Sequence, residues 1–275
     1  MSLAANSFLS ANPNRLKALF LLTGLFFFLS GNAQHQMRGL VIEDARYNAL
    51  PLPLHYGKSE DVPPSASLKE FLPRVITQVS ANTAVTWSVL WYGRATLESK
   101  AASSAEINPT ALALSPSFTY RSIQHKPGCL EPVSLIDALQ SAETLGAPRF
   151  ADYPEFCADS LPASISALAT SHKLPGYVRL FNSYDSRETK VHAMKKALAS
   201  GFPVVIGMIC PPSFQFAGEF WQPREPERLP QYGGHALCVF GYDDMKFGGA
   251  FEMVNSWGPR WAKNGMTWIN YENFA

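Results

Sequence analysis

Charge of a single sign is missing from this 275-residue chain: 23 Lys and Arg stand against 22 Asp and Glu, a formal net charge of +1. No Lys/Arg-rich run breaks the balance, which argues against electrostatic steering toward nucleic acid. Long hydrophobic runs are also scarce. The apolar stretch 18–29 has twelve residues, short of the roughly twenty that a membrane span needs. CxxC and HxxxH spacings are absent, so no metal site is expected. Internal repeats and low-complexity tracts are lacking too. Only four cysteines occur, Cys129, Cys157, Cys210 and Cys238, and none stands in the setting of a nucleophile.

What is present suits a sizeable core. Apolar residues make up 47% and aromatic residues 12%, enough for one globular domain or two lobes sharing a cleft. Residues 1–33 read as a secretory signal: Arg15 and Lys17 precede the apolar stretch, and Gly31, Asn32 and Ala33 supply small residues before Gln34. The expected location is therefore secreted or periplasmic, with no stable membrane span after cleavage. In such an oxidising compartment Cys129 and Cys157, both in turn-rich contexts, are expected to pair. Cys210 and Cys238, set in apolar runs, read as small buried hydrophobes.

The chemistry concentrates near the C-terminus. Residues 233–244 read GGHALCVFGYDD and residues 251–258 read FEMVNSWG. Behind two glycines, His235 would sit at a strand mouth where backbone can approach closely. A histidine acting as general base needs a partner on its other ring nitrogen. The neutral carboxamide of Asn255 can hold the tautomer while Trp257 shields that bond from water.

Together with Trp261, Asn264-Gly265 and Trp268-Ile269, this block resembles the papain-like cysteine peptidases, and the resemblance covers roughly residues 40–274. It implies an α+β, papain-like two-lobe fold, with a helical left lobe containing a central catalytic helix and an antiparallel β-rich right lobe. It also implies a peptide or protein substrate and no cofactor. In that family the thiol opens the central helix, six residues after an oxyanion-hole glutamine. The matching stretch here begins at Gln78 and is similar to a bacterial branch whose pattern runs Gln, five residues, Cys, Val, Gly, Trp, Ala. The expected cysteine falls on Ala84. A shifted register puts Thr86 at the site and loses the match at Gln78, so neither register supplies a thiol.

The catalytic set implied by the resemblance is thus Ala84 (nucleophile position), His235, Asn255 and Gln78, with Trp257, Trp221, Phe220 and Gly234 shaping substrate binding. A methyl group cannot attack a carbonyl, so the chain as written is expected to be inactive. Three explanations fit: a deliberate substitution in an ordinary peptidase, a natural pseudopeptidase that binds peptides or a protein partner, or an interaction module that uses the fold as scaffold.

Around this site the chain divides into an extended arm at 34–66 and the peptidase-like domain at 67–275, with a helical lobe at about 67–202 and a β lobe at about 203–275. Pro51, Pro53, Pro63 and Pro64 interrupt the arm; it is too short for the usual helical prodomain, and a short inhibitory strap is the alternative. Helices are expected at 83–99, apolar nearly all round, at 132–145 before Gly146, and at 187–200, with Asp185 and Glu188 in capping-box spacing. Residues 115–120 read as the lead into the second of these. Strands are expected at 204–209, 236–242, 251–254 and 266–271. The aromatic-rich loop 211–232 reads as a cleft wall or lid, or as a solvated insertion.

Overall fold

A computed structural model of the chain describes residues 39–53, 61–102, 108–154, 156–224 and 232–274. Residues 37–275 form one compact unit. The preceding unit, with the signal expected at 1–33, lies outside the described residues, as do residues 225–231 of the aromatic-rich loop. Among the described residues no helix is long and apolar enough to cross a membrane.

The fold is built on one strand. β5 (Gly234–Asp243) is buried for nine of its ten residues and pairs antiparallel with β1 (Leu40–Val41), β2 (Ser65–Ser67), β4 (Val204–Ile209) and β6 (Ala250–Val254); β7 (Met266–Asn270) extends the sheet beyond β6. On the far side β1 runs parallel to β3 (Val133–Ser134). Because side chains alternate across a strand, β5 reads as a continuous apolar run only because both of its faces are covered. Leu237 and Val239 join one cluster with Met194, Leu198, Phe251 and Met253. Cys238 and Phe240 join another with Trp87, Trp91 and Tyr92. A bulge between Val239 and Gly241 shifts the register, and Tyr242 falls in with Leu237 and Val239.

The central helix begins α-helical at Ala84–Thr86, widens to a π-helix over Trp87–Arg94, and returns to α over Ala95–Ala102. Every residue from 84 to 93 is buried, as its apolar circumference requires. The π stretch leaves no mark in the sequence pattern.

The remaining helices differ in instructive ways from the sequence expectation. α1 (Asp44–Ala49) forms inside the arm, where the first proline comes only at Pro51. Residues 115–120 are not a lead-in: Ser115 caps a helix of their own, α2 (Pro116–Ile123), by accepting from the Phe118 N–H, with Pro116 in its first turn. α3 (Leu135–Thr144) starts later than expected because Val133–Ser134 is strand, and Ser134 caps it. A short α4 (Ala163–Ala169) follows. α5 (Arg187–Ala199) is capped by Ser186, which accepts from the Thr189 N–H at 3.2 Å, and not by Asp185, whose carboxylate instead accepts from the Asn182 N–H at 2.6 Å.

Met194 and Leu198 join the cluster on one face of the sheet, so α5 packs against it. Replacing the fully buried Met194 by Ala is expected to lower the unfolding free energy by about 2–5 kcal/mol, read from urea denaturation. The helical side has its own cluster around Val85, Leu114, Phe118, Val133 and Ala138. A disulfide between Cys129 and Cys157, with Cα atoms 5.1 Å apart, borders it. Cys238 is buried and Cys210 partly so, and burial pushes both thiols up to about 12.

Candidate active site

His235 is wholly buried at the start of β5, opposite Met208 of β4. Its Nε2 lies 2.8 Å from Asn255 Oδ1. Asn255 follows the last residue of β6, whose register with β5 ends at Val254 opposite Cys238, so Asn255 comes diagonally beside His235. The roles follow from bookkeeping of donors. Asn255 Oδ1 also accepts from the Ser256 backbone N–H at 2.8 Å; a backbone N–H can only donate, so this fixes which end of the carboxamide faces the ring. Nε2 must then carry the proton, and Nδ1 holds the lone pair. Among the described residues Nδ1 is buried without a partner. The Trp257 ring lies 4.7 Å from the imidazole, centre to centre.

Burial pushes His235 down to about 4, with the Asn255 bond opposing the shift. The ring is therefore neutral in the folded chain, whereas the unfolded chain takes up a proton near pH 6.5. Stability from this group is complete above about pH 6.5 and is lost as pH falls toward 4. Urea denaturation across that window is expected to lose up to about 3 kcal/mol more in the unaltered chain than in His235→Gln.

Ala84, fully buried, opens the α-helical part of the central helix, directly after the 3₁₀ turn Ala81–Thr83. Gln78 is brought beside the Asn255 segment: its backbone N–H donates to the Ser256 carbonyl at 2.6 Å, its Oε1 accepts from the Ser256 hydroxyl, and Thr77 bridges Trp257. Its Nε2 donates to the carbonyls of Ser80 at 2.8 Å and Ala81 at 3.2 Å. In this arrangement both amide hydrogens are engaged at the helix start.

The chain's own arm fills the space between these groups. Leu40 pairs with Val133 on one side and Gly234 on the other. At Gly39 the backbone crosses the helix start so closely that a Cβ there would collide with the Ala81 carbonyl oxygen and lie 3.2 Å from Ala84 Cβ. The Leu40 side chain packs over Gly207, where a Cβ would come within 2.5 Å of it, and joins the cluster of Val85, Val133 and Ala236. Beyond β1 the arm is anchored at two separate places. Glu43 accepts from Ser134, which holds its carboxyl below the usual range, and Arg46 bridges Asp137 at 2.7 Å. On the other side Tyr47 donates to the Phe181 carbonyl at 2.9 Å, and Arg179 to the Leu50 carbonyl at 2.7 Å.

Two residues expected to shape substrate binding lie elsewhere. Trp221 is inside the β-lobe core, edge-on to Phe214, with its ring N–H donating to Ser213 at 3.2 Å. Phe220 bridges Trp268 and stacks on Phe247 at 4.6 Å, beside the β5–β6 turn at the opposite end of that hairpin from His235. Gly234 meets the arm, and Trp257 covers His235. The sequence pattern missed Ser256 and Leu40. Phe214, one of the aromatics of the loop read as a cleft wall or lid, packs 5.5 Å from Trp257 and 5.0 Å from Trp261. Among the described residues no group of acidic, Cys or His side chains is arranged to hold a metal ion.

The chain has the papain-like fold, α+β with a helical side and an antiparallel-rich sheet. It is similar to xylellain, a cysteine protease from Xylella fastidiosa (TM-score 0.64, 19% identity, 87% of this chain and 92% of that one). Digestive procathepsin L2 proteinase from the larval midgut of Tenebrio molitor gives 0.67 at 17% identity, over 96% and 90%. The bromelain protease of Ananas comosus gives 0.59 at 18%, over 76% and 90%. In sequence, 105 residues are 31% identical to an uncharacterized peptidase C1-like protein of Acanthamoeba polyphaga mimivirus, 36% of this chain and 32% of that protein. The match thus spans about a third of the relative's length. The sequence matches no protein-family model.

Proposed function

We propose that the cleft is a cysteine-peptidase site lacking only its sulfur: His235 the base, Asn255 its orienter, position 84 the place of the nucleophile, and peptides or proteins the substrate. The observation that carries this reading is the His235–Asn255–Ser256 relay, which leaves one buried, lone-pair-bearing nitrogen, on a strand tied by Gly39-Leu40 to the buried start of the central helix. The cysteine proteases among the structural neighbours and the peptidase-like viral relative support it. With a thiol at position 84, His235 would take its proton and the thiolate would add to the peptide carbonyl. The C–N bond would break as the same proton passes to the leaving amine, and water would release the acyl group. The positive end of the helix favours both the thiolate and the developing oxyanion. Gln78 could join that oxyanion site only by releasing Ser80 or Ala81.

As written, with a methyl group at position 84, the chain is read as one that does not cut. A second reading, a pseudopeptidase serving as a peptide- or protein-binding module, is favoured by one observation: the arm lies directly over Ala84 as a strand already paired on both sides. The secretory signal read at 1–33 makes an exported protein the reading in either case. Hydrolysis of an unstructured polypeptide in reducing buffer separates the two. Cleavage by Ala84→Cys alone supports the peptidase site; two folded, inactive proteins leave the binding module.

A further inference from the structure

We propose that Tyr92 is a positioning residue for the His235–Asn255 pair, an inference that rests on the peptidase reading of the same site. Tyr92 lies in the π-helical stretch of the central helix and is fully buried. Its hydroxyl donates to the backbone carbonyl of Asn255 at 3.1 Å. That carbonyl belongs to one of the two backbone runs that carry the site. The other run carries Gln78, and the two are joined by Gln78 N–H to Ser256 and by the Thr77–Trp257 bridge. The hydroxyl holds the first run from the central helix.

Asn255 is consequently held on three sides. Its N–H donates to Gly265 at 3.0 Å, its carbonyl accepts from Tyr92, and its side-chain oxygen is aimed by Ser256. With the backbone fixed, the carboxamide has one place to sit, and it meets His235 Nε2 there. Burial raises the Tyr92 hydroxyl well above its ordinary value, so its proton stays on and it remains a donor throughout the working pH range. In the same helical stretch Trp91 donates its ring N–H to the Arg74 carbonyl at 3.0 Å while Tyr92 reaches Asn255. A buried hydroxyl with no partner would be costly, which gives the contact a reason to persist.

The test uses Tyr92→Phe, which removes the oxygen and keeps the ring. Its control, Trp91→Phe, removes the neighbouring hydrogen bond of the same helical stretch without touching Asn255. In the Ala84 chain the readout is the His235 Nε2–H proton resonance and its exchange with solvent. In the Ala84→Cys background it is kcat and KM. Tyr92→Phe is expected to speed the exchange and shift the resonance, and to lower kcat about tenfold with KM unchanged; Trp91→Phe leaves both readouts in place. Equal effects of the two variants, or no change in the resonance with Tyr92→Phe, would overturn the proposal. A shifted resonance with an inactive Ala84→Cys chain would keep the positioning role and remove the peptidase reading. An active Ala84→Cys chain indifferent to Tyr92→Phe would do the reverse.

Discussion

Replacing Ala84 with Cys is expected to raise peptide hydrolysis at least ~10⁴-fold, since losing a nucleophile in a hydrolase with the base intact costs on the order of 10⁶ in turnover. The size of the effect follows from what is already in place. His235 is held in the tautomer with a free lone pair at Nδ1, and residue 84 opens a helix whose N-terminal dipole favours a thiolate. In the unaltered chain burial depresses His235; a thiolate at position 84 would raise it again by direct charge attraction. The gain should disappear in Ala84→Cys, His235→Ala. Activity that survives loss of His235 would mean that another group supplies the base.

The second large effect concerns the arm. Gly39→Val puts a side chain against the Ala81 carbonyl and Ala84 Cβ, backbone and buried methyl that have little room to give, so the arm should lift. A tethered segment competes at an effective concentration near millimolar, and a seat occupied by its own strap weakens apparent affinity by the fraction left open. A synthetic peptide of residues 39–50 is therefore expected to bind Gly39→Val on the order of 10²-fold more tightly than the unaltered chain. Limited proteolysis should open new cleavage sites within residues 39–53. Unchanged affinity together with an unchanged cleavage pattern would show that β1 is simply part of the sheet.

Residues whose chemistry is written in a contiguous motif were legible in the sequence. His235 behind two glycines and Asn255 before Ser256-Trp257 needed no long-range information, and the strands beneath them announce themselves as apolar runs between turns. Gln78 and position 84 were named together by the resemblance, not by any pattern of their own. Contacts between distant segments were less legible. The two-residue β1 is too short for alternation to show, and the prolines of the arm hid the helix Asp44–Ala49, which ends before Pro51. Asp185 and Ser186 are both good caps, and only the competing bond from Asn182 decides between them. Trp221 and Phe220 suggested a cleft wall by composition, yet large aromatics are used more often to fill a core, and both pack against other rings. Tyr92 reads as one more apolar position of a buried helix, because its partner lies 163 residues away.

The most direct test of the site is the rate of iodoacetamide alkylation at position 84 in the Ala84→Cys, Gly39→Val chain, followed from pH 4 to 10. A thiolate paired with His235 predicts fast alkylation persisting well below pH 7, with that acid limb abolished by His235→Ala. A single rise centred near pH 8.5, the ordinary thiol value, and indifferent to His235, would contradict the account.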